Sequence, residues 1–472
     1  MKHNIVASKK RKNNEGMKNS RADQSRRRIL TAARRIFAKY PYGAASVRKI
    51  EEEGGFNYAL IRYYFGSKKG LFEAVSFELI NEYIRHVLPV IRDSLDNTDP
   101  ETALPRFVNE LFEFAFAHPD GPATIMLNIG QPQLFEDTLL GLSAMRRYFS
   151  QVIDNFKASI PFEASDREIT MWVFAFTVLT ANFIGARAFH AAALGLDPEG
   201  TEYRQWVSQA VLNLFTPVME HFLYGPGIDP EIVISEEARA YLPESAPRQT
   251  PLKKKKTKGD LTREKILDAA ESVFSRRPYN TASIRRIGQE GGFDFTIIHH
   301  YFPTKKELAE AVSMRFYDDF FRQSAFWLSL IPDGMLNRVS LSQGLSIYIN
   351  SLLEYLFSHH HGPAMMMQNI ALPDPKRTLP AFDFSLRFYA DIADRLKHLL
   401  PIKSRETEIR MWQYCLVTLI STCVGASEYP ARIIDLSPGG RHYRKWIERA
   451  LIFLFYPGLK KMITASTEPR PG

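Results

Sequence analysis

Gly54–Phe65 reads "GGFNYALIRYYF" and Gly291–Phe302 reads "GGFDFTIIHHYF", one frame written twice, 237 positions apart. Each version has two glycines, a residue suited to capping (Asn57 or Asp294), and a short run closing on Tyr-Phe. Across 44–75 and 281–312, 17 residues are identical at this offset, among them Ser46 and Ser283, Ile50 and Ile287, and Lys68 and Lys305. The likeness continues more weakly to the end of each half. "ITMW" at 169–172 answers "IRMW" at 409–412, and "YRQW" at 203–206 answers "YRKW" at 443–446. The later offset is 240 or 241, so the second copy carries a few extra residues after its motif. A period above two hundred residues is too long for a solenoid and indicates a duplicated whole protein.

The bulk composition agrees with two folded copies. The chain has 472 residues, 45% hydrophobic and 24% charged, which excludes a mainly disordered chain. No run of eighteen apolar residues occurs, arguing against a membrane span, and the basic N-terminal residues lack the apolar stretch of a secretory signal. The two cysteines, Cys415 and Cys423, stand eight apart in one helical stretch. That spacing separates them by about 12 Å along a helix, too far for a disulfide. A reduced, cytoplasmic protein is expected. The net charge of +9 is unevenly spread. Residues 1–28 hold ten Lys or Arg against Glu15 and Asp23, and "KKKKTK" covers Lys253–Lys258. Basic runs are commonly plain solvated tails. Two of them, each leading into the same motif, suit arms reaching for a polyanion.

Periodicity within each copy is helical. Ile29, Ala33, Ile36 and Phe37 recur at three- and four-residue steps, as do Ile266, Ala270, Val273 and Phe274, and no strand alternation bounded by hairpin turns is found. The fold class expected is all-α. Prolines such as Pro41, Pro105, Pro119, Pro161, Pro217 and Pro226 read as lying between or at the edges of the periodic segments. A linker from about Gly225 to Thr257 separates the copies; it would reach roughly 110 Å extended and roughly 30 Å as a flexible coil. The expected domains are a basic arm (1–20), a first motif domain (21–75), helical core 1 (76–224), linker (225–257), a second motif domain (258–312), helical core 2 (313–463) and tail (464–472).

The repeated motif parses into three helices. The first, over about 22–39 in copy one, ends at Tyr40-Pro41. Ser46 then stands as the N-cap of "VRKIEEE", and Gly54-Gly55 breaks that helix into a tight turn needing positive φ. Asn57 caps a short third helix, "YALIRYY", and Asp294 caps "FTIIHHY". Helix, glycine turn and short capped helix make a helix-turn-helix, which presents its last helix to the DNA major groove. Ile61 and Phe65, like Ile298 and Phe302, should point into a small core. Tyr58, Ala59, Arg62 and Tyr63, and Phe295, Thr296, His299 and His300, should face outwards, where they suit base-edge and phosphate contacts.

"ASVRKIEEEGGFNYALIRYYFGSKKGLFEAV" (from Ala45) and "ASIRRIGQEGGFDFTIIHHYFPTKKELAEAV" (from Ala282) both resemble the DNA-binding domain of TetR-family transcriptional regulators. The resemblance covers some 50 residues per copy, and spacing and residue types agree together. It implies that Ser46, Tyr64 and Lys68, and Ser283, Tyr301 and Lys305, sit at phosphate-contacting positions. The candidate DNA-contacting set also takes in Arg48, Asn57, Arg285 and Asp294. There are departures. Tyr58 and Phe295 replace small polar residues, Arg62 and His299 stand where a tyrosine is common, and Pro303-Thr304 replaces Gly66-Ser67.

The same resemblance implies a larger carboxy-terminal helical domain that binds a small effector and dimerises through its last two helices. Those would be about 166–190 with 201–223, and about 405–429 with 441–460, with small residues for close approach at Gly185-Ala186 and Gly425-Ala426. If the halves pair, one chain supplies what two subunits otherwise supply, and the partners are freed from identity. Partners expected on this reading are a double-stranded DNA operator and a hydrophobic or aromatic effector, with no cofactor. Candidate effector contacts are His118, Asn128, Trp172, Phe174, Phe176, Asn182, Arg187 and His190 in copy one, and Met365–Asn369, including Met366, with Trp412 in copy two. Apolar members of this set are more often ordinary core. "HHH" at 359–361 is not a metal motif, since consecutive helical residues face different ways and no zinc-like spacing accompanies them. No nucleophile–base pair, carboxylate pair or phosphate loop stands out, so no enzyme is expected. The competing reading is a module of the same fold that binds a ligand or protein without specific DNA recognition.

Overall fold

The computed structural model describes residues 22–95, 100–131, 142–159, 165–224, 257–329, 341–372 and 406–467, with scattered positions between 374 and 395. The basic arm, the linker before Thr257 with Lys253–Lys256, and the tail beyond Thr467 lie outside the described residues. Among the described residues all regular structure is helical.

Copy one begins with α1 (22–37), α2 (Val47–Gly54) and α3 (Tyr58–Phe65). It continues with α4 (Lys68–Leu95), α5 (Pro100–Ala117), α6 (Asp120–Asn128), α7 (Leu142–Ser159), α8 (Asp166–Gly185), α9 (Arg187–Leu194) and α10 (Thr201–Tyr224). Copy two repeats the order with α11 (Lys258–Arg276), α12 (Ile284–Gly291), α13 (Phe295–Tyr301), α14 (Lys305–Ser329), α15 (Leu341–Ser358) and α16 (His361–Met367). Its last helices are α17 (Glu406–Gly425), the short α18 (Glu428–Ile433) and α19 (Arg441–Thr467). The first three helices of each copy close on a small core of their own. Ala33, Phe37, Ile50, Ile61 and Leu71 fill one, and Ala270, Phe274, Ile287, Ile298 and Leu308 fill the other. The remaining helices of both copies share one continuous apolar core.

The two copies meet through α8 and α10 against α17 and α19. The contacts are nearly two-fold symmetric, because equivalent residues pair reciprocally. Phe174 packs edge-on against Trp446 at 5.0 Å, and the equivalent Tyr414 packs edge-on against Trp206 at 5.3 Å. Asn182 and Thr422 occupy the same position in the two copies and bond to each other, Nδ2 to Oγ1 at 3.2 Å, so the pseudo-axis passes between them. Isologous pairing of this kind is the geometry of a homodimer, here made within one chain.

Two expectations need correction. Pro105 and Pro217 lie inside α5 and α10, not at their edges, and Pro457 takes the equivalent place in α19. Each removes one helical hydrogen bond, about 3 kcal/mol in an isolated helix, and tight burial of the neighbours Leu214, Phe215, Val218 and Met219 offsets that cost in α10. Gly185 and Gly425 do admit a close approach, but within each copy: a Cβ there would stand 2.2 Å from Pro122 O and 2.4 Å from Pro363 O. Among the described residues α8 is long and apolar enough to cross a membrane by length and composition, but most of it is buried in the shared core, in keeping with the expected absence of a membrane span. Cys415 and Cys423 both lie in α17 as buried free thiols.

Candidate nucleic-acid interface

Local chemistry holds the helix-turn-helix of each copy as the residue pattern requires. Ser46 Oγ accepts from Lys49 N, and Ser283 Oγ accepts from Arg286 N, both at 3.3 Å, starting α2 and α12. Gly55 (φ 61°) and Gly292 (φ 69°) end those helices in the left-handed region, which a side chain would strain. Asn57 Oδ1 accepts from Ala59 N at 3.0 Å, and Asp294 Oδ1 accepts from Thr296 N at 2.8 Å, capping the third helices. The amide bond, with that of the Thr296 hydroxyl, holds the Asp294 carboxyl below the usual range. Ile61 and Ile298 are fully buried beneath these helices. Phe65 is half-buried under Arg26, with Phe302 buried under Arg263, a cation–π pair repeated at the same offset.

What is left on the outer face is exposed. Tyr58, Ala59, Arg62 and Tyr63 project from α3, with Tyr63 at 79% exposure, and Phe295, Thr296, His299 and His300 project from α13. Large exposed aromatics on a short helix are costly in water and mark a contact surface. Arg62 makes no ion pair or hydrogen bond among the described residues, so its guanidinium is available to a base edge or phosphate. Arg48 and Arg285 are also exposed, with Arg48 paired to Glu52 at 2.8 Å. Tyr64 and Tyr301 are half-buried against the small cores.

Lys68 and Lys305 do something the residue pattern did not disclose. Lys68 Nζ donates to Tyr42 O and lies 4.1 Å from the centre of the Tyr42 ring. Lys305 Nζ donates to Tyr279 O at 2.8 Å and Ala282 O at 3.1 Å, with the Tyr279 ring at 4.3 Å. Burial lowers the pKa of both ammonium groups. Each lysine clamps the loop that follows the first helix of its copy.

The same loops are tied to the larger domains from the other side. Asn128 Oδ1 accepts from Tyr42 N at 2.8 Å while its Nδ2 donates to Thr124 O at 2.8 Å. Asn369 makes the matching pair with Tyr279 N and Met365 O, each at 2.8 Å. A second joint reverses polarity between copies. Arg34 of α1 reaches Glu82 and Asp120 (2.7 and 2.6 Å), whereas in copy two Arg315 of α14 reaches back to Asp268 and Glu271 of α11.

Asn128 also lines a cavity of about 100 Å³ in the core of copy one, between α4, α6, α7 and α8. Its walls are apolar and aromatic (Phe72, Ile80, Leu111, Phe176), with hydroxyls from Ser76, Tyr83, Thr124, Thr177 and Thr180 and no charged group among the described residues. Tyr83 donates to His118 O at 3.0 Å, and Tyr148 bonds to Thr177; burial pushes the Tyr148 phenol up to about 12. The Thr124 and Thr180 hydroxyls are buried with no hydrogen-bond partner among the described residues. Of the residues picked from the sequence as effector contacts in copy one, Asn128 and Phe176 line this cavity. His118 stacks on Phe114 outside it, Arg187 pairs with Glu199 at 2.7 Å, Trp172 is core stacked on Phe176, and Asn182 and His190 lie at the junction of the copies. In copy two Met366 lines a pocket of about 30 Å³, Asn369 is committed to Tyr279, and Trp412 donates to Phe455 O at 2.9 Å. The threonines escaped a reading of single residues, although comparing the copies position by position singles them out.

Two helix-turn-helix units with exposed, unlike third helices have the geometry of DNA-binding domains. The family described as bacterial regulatory proteins, tetR family, matches residues 29–75 and again 266–312. Each copy thus opens with a tetR-family DNA-binding domain, consistent with two tandem TetR-like units. Relatives include the HTH-type transcriptional repressor NicS of Pseudomonas putida, 33% identical over 105 residues, 22% of this chain and 48% of that protein. The HTH-type transcriptional repressor AcnR of Corynebacterium glutamicum is 44% identical over 54 residues, 11% of this chain and 29% of that protein. The chain thus spans about half the length, or less, of these curated relatives.

Proposed function

We propose that the chain is a sequence-specific transcriptional regulator, a ligand-responsive repressor, that works in the cytoplasm as a single-chain pseudo-dimer on an operator of two unlike half-sites. The observation that carries this reading is the pair of exposed third helices, with the same buried frame and different outward residues, held in one chain. α3 offers Tyr58, Arg62 and Tyr63; α13 offers Phe295, His299 and His300. Outward residues of a groove-docking helix select bases, so unlike helices call for unlike half-sites. The named repressors among its relatives support the direction of regulation.

The wall of the cavity supports a route from effector to DNA. Asn128 touches the cavity and holds the loop that positions α1 against α2. A ligand that displaces α6 strains this bond, and differential affinity for the two arrangements is all an effector needs to shift DNA binding. Selection of bound sequences from a random DNA pool by the purified full chain tests the proposal. One asymmetric site bound by one chain is expected. Salt-dependent binding with no preferred site, or two chains on one minimal site, would refute it.

A further inference from the structure

The two copies treat the same internal position differently. In copy one the cavity wall carries Thr124, Thr177 and Thr180; at the equivalent positions copy two has Met365, Val417 and Ile420. Leu79 on α4 likewise becomes Phe316 on α14. Every one of these exchanges replaces a hydroxyl or a smaller side chain by a larger or wholly apolar one. Phe72 and Phe176 give way to the smaller Ala309 and Leu416, yet the pocket of copy two is about 30 Å³ against about 100 Å³ in copy one. In a homodimer these differences would appear in both subunits; a duplicated chain can keep them in one.

The open cavity is also completed from the other copy. Tyr429 on α18 of copy two reaches across the junction and forms part of its wall. The equivalent residue in copy one, Phe189 on α9, crosses to copy two and packs on Phe382 at 5.7 Å. Burial of an unpaired charge is prohibitive in such walls, whereas unpartnered hydroxyls invite a hydrogen-bonding group. An apolar cavity near this size takes a single aromatic ring.

Building on the effector-responsive reading, we propose that the chain binds one effector, in copy one alone. The ligand class is an uncharged, compact, mostly apolar molecule of about one ring with a hydroxyl or carbonyl group, enclosed in part by Tyr429 of copy two. Copy two has become a filled, purely structural partner. One ligand per chain then biases one DNA-binding domain directly, through Asn128, and leaves the Asn369 tie of the other in place.

Crystals of the full chain soaked in 4-iodophenol give the test, since iodine scattering locates the probe. Iodine density is expected in the cavity of copy one and none at the equivalent place in copy two. In solution, 19F NMR titration with 4-fluorophenol should show binding weakened about tenfold or more by Thr180→Ile, which transplants the residue of copy two. Tyr429→Ala, far in sequence from the cavity, should weaken it too, with Tyr429→Phe restoring the ring and part of the affinity. Thermal unfolding of each variant separates lost binding from lost fold. Iodine in both cavities, in copy two alone or in neither, or full binding by Tyr429→Ala, overturns the proposal. Operator selection without probe reads the DNA-binding function separately and is unaffected by these outcomes.

Discussion

Replacing Asn128 by alanine should loosen one DNA-binding domain and leave the other as it was. The Asn128 side chain bridges α6 to the loop of the first helix-turn-helix through two hydrogen bonds of 2.8 Å, one accepted from Tyr42 N and one donated to Thr124 O. Truncation leaves a backbone N–H without its partner in a half-buried loop. Leaving such a donor unsatisfied costs about 1–3 kcal/mol, and that cost falls on the closed form of the loop. Opening should therefore become about 5- to 150-fold more frequent. Hydrogen exchange read by mass spectrometry on peptides covering 40–47 and 277–284 measures this directly. Faster exchange around Tyr42 with no change around Tyr279 is expected for Asn128→Ala, and the reverse for Asn369→Ala. Operator selection with the variants should show weakened preference in one half-site each, a different one for each variant. Unchanged exchange at Tyr42, or equal acceleration at both loops, would refute the idea that these asparagines act as separate ties.

Arg62→Ala should relax base preference in one half-site only, at a cost of about 1–3 kcal/mol if the guanidinium contacts a base; equal loss in both half-sites would remove its assigned role. Gly185→Ala should destabilise the chain by about 1–3 kcal/mol or more in denaturant unfolding, because the new Cβ meets the backbone oxygen of Pro122, which cannot rotate away. Stability should fall in acid on account of His190. Burial at the junction lowers its pKa from 6.5 to about 3, and its Nδ1 lies 2.9 Å from Tyr414 OH. The folded chain thus keeps this ring neutral while the unfolded chain protonates it, so the contribution is complete above pH 6.5 and lost progressively as the pH falls towards 3. At pH 5 the loss is about 2 kcal/mol; His190→Gln should flatten the denaturant midpoint between pH 7 and 5, and an unaltered slope would exclude His190 as its source.

The duplicated frame and its helix-turn-helix were legible from the residues alone. Ser46, Gly55, Asn57 and Asp294 act on neighbours within a few positions, through caps and a positive-φ turn, so their effect does not depend on how the rest of the chain packs. The burial of Ile61 and Ile298 follows from helical spacing in the same way. Exposed Arg62 and Tyr63 were likewise what remained once the inward positions were assigned.

The roles of the polar residues in the larger domains depended on partners far along the chain. Asn128 reads equally well as an effector anchor or a strut until Tyr42, 86 positions away, is found against it. Asn182 reads as a ligand contact until the pseudo-two-fold places it on Thr422, 240 positions away. Lys68 and Lys305 read as phosphate ligands until their ammonium groups are seen on the carbonyls of Tyr42 and Tyr279. Sequence by itself settled that there are two copies, all helical, each opening with the same helix-turn-helix frame, because periodicity, capping and repetition are local signals. Tertiary structure alone decided that Thr124, Thr177 and Thr180 share a cavity in copy one, that Tyr429 of copy two forms part of its wall, and that the matching pocket in copy two is about 30 Å³. Cavity volume is what remains after side chains from separate helices have packed, and no short window of sequence contains that sum.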